Sequence, residues 1–190
     1  MKTISEPPRT FAVQRADRRF FADHGWLKTC HSFSFAEYYD PQNEHWGALR
    51  VFNEDSIAAG MGFPAHPHRD MEILTYVFSG ELEHRDSMGN QGVVKAGGVQ
   101  FMSAGTGVRH SEFNARKDRE LHLVQMWVLP GSVGTTPTYG QIDFTRDERF
   151  NRWLTVASGE PNIEAPIALT QKATLRVTRL EKHALRHTFQ

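Results

Sequence analysis

The sequence predicts an all-β fold, either a sandwich or a small barrel of antiparallel strands. Apolar residues alternate with polar ones or run in short blocks between Gly, Pro, Asn and Asp. Regular helix signals are scarce, and many short strands with regular turns are typical of sandwiches and barrels. The 190 residues, 39% of them hydrophobic, suffice for one domain with a packed core.

In chain order, four segments are predicted to form strands, each bounded by turn residues. Asn and Gly tolerate positive φ, so residues 86–92 (DSMGNQG) are predicted to form a hairpin-type turn. The four segments are ALRVFNEDSI, EILTYVFSGELEHRD, QGVVKAGGVQFMSAG and LHLVQMWVLPG.

The composition changes after residue 130. Residues 131–150 are polar and rich in Gly, Thr and Pro, and segment 131–165 is predicted to be a connection. Residues 168–180 alternate like one or two strands for which the chain offers few partners. Because an unpaired strand tends to recruit another chain, we expect a homodimer through this C-terminal segment, with docking on the main barrel as the alternative.

Charge and cysteine content exclude several classes of protein. The 22 basic residues balance the 22 acidic ones, so no net charge favours a nucleic-acid partner. Cys30 is the only cysteine, which excludes an internal disulfide and a thiolate cluster. The chain has no apolar run long enough to span a membrane and no signal-peptide pattern, so we expect a cytoplasmic protein without a membrane partner.

Two pairs of potential metal ligands share the spacing i, i+2. His66 and His68 flank Pro67, which favours an extended backbone, and residues two apart in a strand point to one face. His110 and Glu112 form a second such pair. Three imidazoles and one carboxylate from two strands could therefore meet inside a barrel.

Glu72 competes with Glu112 for the carboxylate position. It has the same parity as His66 and His68, so it could bind the metal directly or orient a ligand. Imidazole and carboxylate ligands without Cys suit iron, manganese, copper or nickel, and three or four protein ligands leave positions open for a reacting metal.

The other histidines and several large apolar residues carry weaker expectations. His84, like most histidines in mixed contexts, is expected at the surface or in a hydrogen bond, and His183 and His187 form a less specific pair of possible ligands. Five residues are expected either to line an apolar pocket for a flat aromatic ligand or to form ordinary core: Phe52, Phe63, Phe101, Met102 and Trp127.

Two motifs carry a resemblance to a known family. GFPAHPHRDMEILTYVFSG resembles the first cupin motif, and AGTGVRHSEFN resembles the second, with Gly107, His110 and Asn114 at its fixed positions. Over about residues 12–170 the sequence is similar to the pirins, although Ala96-Gly97-Gly98 replaces their usual Pro-Gly-Asp turn. The segments that carry this similarity are HSFSFAEYYDP, GALRVFNEDSI, HPHRDMEILTYV, LEHRDSMGNQG, MSAGTGVRHSEF and LHLVQMWVLP.

The resemblance implies a cupin β-barrel or jelly roll that holds one divalent metal. Pirins have two cupin barrels, which implies a complete N-terminal cupin at 1–130, a connection at 131–165 and, at 166–190, the first strands of a truncated second cupin. The implied metal is Fe(II), with Mn, Cu, Ni or Co as alternatives. The implied ligands, which favour Glu112 over Glu72, are His66, His68, His110 and Glu112.

The implied function is a quercetin 2,3-dioxygenase-like oxygenase, which opens the ring of a flavonol with O₂. Glu112 is then the expected catalytic base as well as a ligand. The alternative is a non-enzymatic iron-binding protein that signals metal or redox state to a protein partner. A sugar-isomerising cupin would need a charged pocket, and the aromatic residues near the motifs argue against it.

Overall fold

The computed structural model describes residues 13–182 and 184–186, which form an almost purely β structure. Short 3-10 turns lie at Ala16–Arg18 and Asp147–Arg149, and no helix of the described residues is long and apolar enough to cross a membrane. The strands are β1 Phe20–Asp23, β2 Leu27–His31, β3 Leu49–Ile57, β4 Gly62–His68, β5 Glu72–Ser79, β6 Glu81–Asp86, β7 Gln91–Lys95, β8 Val99–Ser103, β9 Val108–Asn114, β10 Leu121–Val128, β11 Thr138–Ile142, β12 Leu154–Ser158, β13 Ile167–Ala168 and β14 Thr174–Val177.

The strands form three sheets. The central sheet has the order β1-β2-β3-β10-β5-β8-β11, and the second has the order β4-β9-β6-β7. The third consists of β13-β12-β14. Neighbouring strands of the two larger sheets are antiparallel, so the predicted all-β class is confirmed.

Both faces of the central sheet are covered. Along its strands, successive apolar side chains point to opposite faces, and each face packs against another sheet. The inner face packs on the four-stranded sheet through a cluster that includes Ile57, Val77 and Leu82. The outer face packs on the three-stranded sheet through a cluster that includes Met126 and Leu169. β5 is therefore buried along most of its length, and the site lies on the inner side.

The four predicted strand segments are confirmed: they correspond to β3, β5–β6, β7–β8 and β10. The hairpin turn predicted at 86–92 joins β6 to β7. Segment 131–165, which the composition predicts to be a connection, contains β11 and β12. β11 lies at the edge of the central sheet and is half exposed. Its residues are therefore largely polar, and a search for alternating apolar residues does not detect the strand.

The C-terminal strand has a partner within the chain. β14 pairs antiparallel with β12, from Leu154 opposite Val177 to Ser158 opposite Thr174. The chain therefore offers residues 168–180 a partner, contrary to the expectation of few, and this partner lies in the segment predicted to be a connection. The homodimer itself stays a prediction.

Candidate metal centre

Strand pairing brings three histidines together. β4 and β9 are antiparallel neighbours, and His66 lies directly opposite His110 in their register. Directly opposed side chains on one face of a sheet start about 5 Å apart, so their rings can converge. The ligand nitrogens of His66, His68 and His110 all lie within 4.8 Å of one another, and the ring centroids are 4.5–4.8 Å apart.

The ring nitrogens of His66 and His110 have a separation that two ligands of one cation could have. His66 Nδ1 lies 2.8 Å from the carbonyl oxygen of Pro64, which only accepts, so Nδ1 carries the proton and Nε2 keeps its lone pair. His66 Nε2 lies 3.0 Å from His110 Nε2. Two nitrogens about 2.1 Å from a metal and at right angles would be about 3.0 Å apart, so the donor set fits a divalent metal.

Burial keeps two of these imidazoles neutral. Desolvation, reinforced by the neighbouring imidazoles, lowers the pKa of His68 to about 4 and that of His110 to about 3. Metal ions bind the neutral ring, so protons would not compete with a metal for these two candidate ligands near pH 7.

Glu112 lies two residues after His110 on the same face of β9, and its carboxylate is fixed by two amides. Gln100 Nε2 donates to Oε1 at 2.6 Å, and Gln125 Nε2 donates to Oε2 at 2.8 Å. Within the same 4.8 Å limit, Glu112 groups with His110 and His84 rather than with all three predicted histidines. Each carboxylate oxygen keeps a lone pair after accepting its amide, so Glu112 can still contribute to a metal site.

His84 is the residue of this site that the sequence interpretation missed. The expectation of a hydrogen-bonded residue is confirmed and the surface alternative is wrong, because His84 is fully buried in β6. Its Nδ1 lies 3.4 Å from His110 Nδ1, and its Nε2 lies 3.2 Å from Asp86 Oδ2. The available signal was its parity with the buried Leu82 in an alternating strand.

Glu72 lies apart from the histidines. The strand is interrupted after His68, where Asp70 has φ +47°, so the period of two does not extend from β4 into β5. The buried Glu72 carboxylate accepts hydrogen bonds from the backbone N–H groups of Thr170 at 2.8 Å and Gln171 at 3.3 Å. Among the described residues, neither metal-capable group contains Glu72, and the His183–His187 pair lies outside those residues.

A cavity of about 210 Å³ opens beside His66 and His68. Of the five large apolar residues considered for a pocket, Phe63 and Trp127 line it. Phe101 and Met102 belong to the core clusters, and Phe52 packs against the outer one. The remaining lining residues are Leu27, Thr29, His31, Phe35, Asn53, Asp55, Glu112 and Gln125.

One wall of this cavity is polar and offers acceptors to a ligand. Among the described residues, Asn53 Oδ1 and Asp55 Oδ1 are buried and have no hydrogen-bond partner in the protein. Burial raises the pKa of Asp55 to about 6, and the nearby charges of Glu112 and Glu54 add to the effect. A ligand that carries hydroxyl groups would satisfy both oxygens.

Comparison with known proteins agrees with this architecture. The chain is 55% identical over 132 residues to the quercetin 2,3-dioxygenase of Escherichia coli strain K12 and 52% identical over 138 residues to a pirin-like protein of Caulobacter vibrioides. These matches cover 70% and 73% of this chain, but only 57% and 59% of the relatives' own length.

A solved structure of a bacterial pirin also resembles this chain in fold and sequence. The structure of the bacterial pirin YhhW of Escherichia coli in complex with nickel(II) matches with a TM-score of 0.79 and 47% identity, over 85% of this chain and 68% of that one. The predicted cupin jelly roll is thereby confirmed. The family model described as Pirin matches residues 13–128, more than half of the sequence. The chain therefore belongs to the pirin family.

Proposed function

We propose that this protein is a metal-dependent oxygenase of the quercetin 2,3-dioxygenase type, which opens the ring of a flavonol with O₂. The observation that carries the proposal is the convergence of His66, His68 and His110 beside a cavity with aromatic walls. The E. coli relative that carries this enzyme name supports the same reaction class.

The proposed ligands of one divalent metal are His66, His68, His110 and Glu112. We propose Fe(II), with Mn, Cu, Ni or Co as alternatives, because imidazole and carboxylate ligands suit all of these ions. Bound there, the metal would supply a Lewis-acidic and redox-active centre for O₂ and an ionised hydroxyl.

The side chains of the cavity would bind and orient the substrate. Phe63 and Trp127 offer apolar surface to a flat aromatic ring, and the open oxygens of Asn53 and Asp55 would accept hydrogen bonds from its hydroxyl groups. Glu112 is the proposed base that takes the hydroxyl proton at a carboxylate oxygen, while its two amide partners hold it in position.

The test is oxygen uptake by Fe(II)-loaded protein in the presence of quercetin, together with metal analysis of protein purified without an affinity tag. We expect about one metal per chain and quercetin-dependent oxygen uptake, and His66→Ala or His110→Ala should remove both. Protein that holds no metal after incubation with Fe(II), Mn(II), Cu(II) or Ni(II) would refute the proposal. Metal binding without oxygen uptake would favour the non-enzymatic alternative.

A further inference from the structure

We propose that Asp86 and His84 form a hydrogen-bond chain that determines which ring nitrogen of His110 carries the proton, and that it thereby keeps the lone pair on Nε2, the nitrogen that faces the metal position. The inference rests on the proposed metal site, but its first test needs no metal. Asp86 and His84 act through His110, so both are positioning residues.

The chain starts at a buried carboxylate with a fixed orientation. Asp86 Oδ1 accepts the backbone N–H groups of Met88 and Asn90, each at 2.9 Å. Asp86 Oδ2 accepts the side-chain amide of Asn90 at 2.9 Å and faces His84 Nε2 at 3.2 Å. The side chains of Asp86 and His84 are both inaccessible to solvent, so water does not replace either partner.

The carboxylate of Asp86 then fixes which atom donates and which accepts at each later step of the hydrogen-bond chain. A carboxylate only accepts, so His84 Nε2 carries a proton, and in the neutral ring His84 Nδ1 is then an acceptor. This acceptor lies 3.4 Å from His110 Nδ1, which must therefore donate. His110 Nε2 then keeps its lone pair and faces His66 Nε2 at 3.0 Å.

The His84 ring is held in this orientation from a second side. Tyr139 of β11 stacks on it, with ring centroids 4.1 Å apart and planes inclined by 13°. β11 thus packs behind the site and restricts rotation of the ring that links Asp86 to His110.

Asp86→Asn reverses the polarity at the start of the chain. Two backbone donors keep an oxygen at the Oδ1 position, so the new amide group takes the Oδ2 position and donates to His84 Nε2, while the Asn90 side-chain amide turns to present its oxygen to the new donor. His84 then carries its proton on Nδ1, and His110 is driven to protonate Nε2, where the metal should bind. The matched control is Asn90→Ala, which removes one donor to Oδ2 but leaves the carboxylate facing His84.

The readout is ¹⁵N NMR of the imidazole nitrogens in metal-free protein, which identifies the protonated nitrogen of each ring directly. We expect His110 to carry its proton on Nδ1 in wild type and in Asn90→Ala, and on Nε2 in Asp86→Asn. Zn(II), a diamagnetic probe, should bind Asp86→Asn about 10- to 100-fold more weakly than wild type, the range found when such supporting partners are removed.

Three results would overturn the proposal. They are a wild-type His110 protonated on Nε2, an unchanged His110 in folded Asp86→Asn, and a Zn(II)-induced change at His84 Nδ1 that marks His84 itself as a ligand. If Asp86→Asn does not fold, the wild-type spectrum alone still tests the proposal, because it shows which nitrogen of His110 carries the proton. Wild-type protein with the expected protonation but no Zn(II) binding would refute the metal site and leave the hydrogen-bond chain standing.

Discussion

At the scale of single residues, two buried glutamates differ in what binds them. Glu72 receives backbone N–H groups from the segment after β13, whereas Glu112 receives side-chain amides beside the histidines. Both positions follow a histidine in a cupin-like motif, so spacing alone left the choice between them open. The contacts give Glu72 a role in joining sheets and leave Glu112 as the proposed ligand.

Exchanging each carboxylate for an amide separates these roles. Glu112→Gln should weaken Fe(II) binding, because it removes the anionic ligand while keeping the shape. Glu72→Gln should leave the metal content unchanged but lower the free energy of unfolding by about 1.5–3 kcal/mol, because its charged acceptor is lost. Metal analysis and urea unfolding of both variants check this, and loss of metal from Glu72→Gln at unchanged stability would contradict it.

Asp55 predicts a pH dependence of stability. Its carboxyl has a pKa of about 6 in the folded protein against an ordinary 3.8, so between these values the folded state binds more protons than the unfolded state. The contribution of Asp55 to the free energy of unfolding is complete below pH 3.8 and is lost as the pH rises through 6, a difference of about 3 kcal/mol.

Asp55→Asn cannot ionise and should therefore be more stable than wild type at pH 7.5 and similar to it at pH 4. Urea unfolding of chelator-treated protein at both pH values measures the difference between the two proteins. The lowered pKa values of His68 and His110 act in the opposite direction, but they are common to both proteins and cancel in the comparison. A stability difference that does not change with pH would contradict the prediction.

At the scale of the elements, the pair β4–β9 determines the spacing of the histidines. Gly62 opens β4, and a Cβ atom there would meet the carbonyl oxygen of Glu112 and the Cα of Phe113, both backbone atoms of β9. The glycine thus permits the close approach of the two strands that carry the site.

Gly62→Ala should push β4 away from β9, because backbone atoms cannot rotate aside as a flexible side chain can. We expect a loss of about 1–3 kcal/mol in unfolding free energy, the usual cost of overpacking, together with weaker metal binding. Gly140→Ala in β11 is the matched control, since a Cβ there meets no atom within 4 Å and the residue has no positive φ. Equal stability and metal affinity in the two variants would show that the close approach is unimportant.

The same scale shows what the sequence could and could not predict. Apolar residues that alternate or run in short blocks located β3, β5, β8 and β10, because these strands are buried on one or both faces. This pattern gave no sign of β11, whose half-exposed edge position tolerates polar residues. For the site, the i, i+2 spacing predicted that His66 and His68 share a face, whereas the roles of His84 and Glu72 depend on pairings between strands distant in sequence.

At the scale of the whole molecule, the third sheet completes the core. Ile167 and Leu169 are buried against Leu74, Tyr76 and Val99 of the central sheet, so the C-terminal segment covers apolar surface of the main sandwich. Glu72 adds a polar link to the same segment. We therefore expect the segment to unfold together with the sandwich.

Leu169→Ala should lower the free energy of unfolding by about 2–5 kcal/mol, as expected for a large-to-small change in a core. Leu180→Ala is the control, because Leu180 is 47% exposed and its truncation should cost less than about 0.5 kcal/mol. Urea unfolding followed by circular dichroism tests both variants. Two separate transitions, or equal stabilities, would mean that the C-terminal sheet is independent of the core.

The position of Trp127 gives the protein an internal optical reporter. Its indole meets the His68 ring edge-on, with centroids 4.9 Å apart, and it lines the same cavity. A paramagnetic ion held by the histidines would lie close enough to quench the fluorescence of this indole, whereas the exposed Trp46 lines a different cavity. Ultraviolet emission should therefore decrease as Fe(II) or Ni(II) is added, and Trp127→Phe should weaken that decrease while leaving the metal bound.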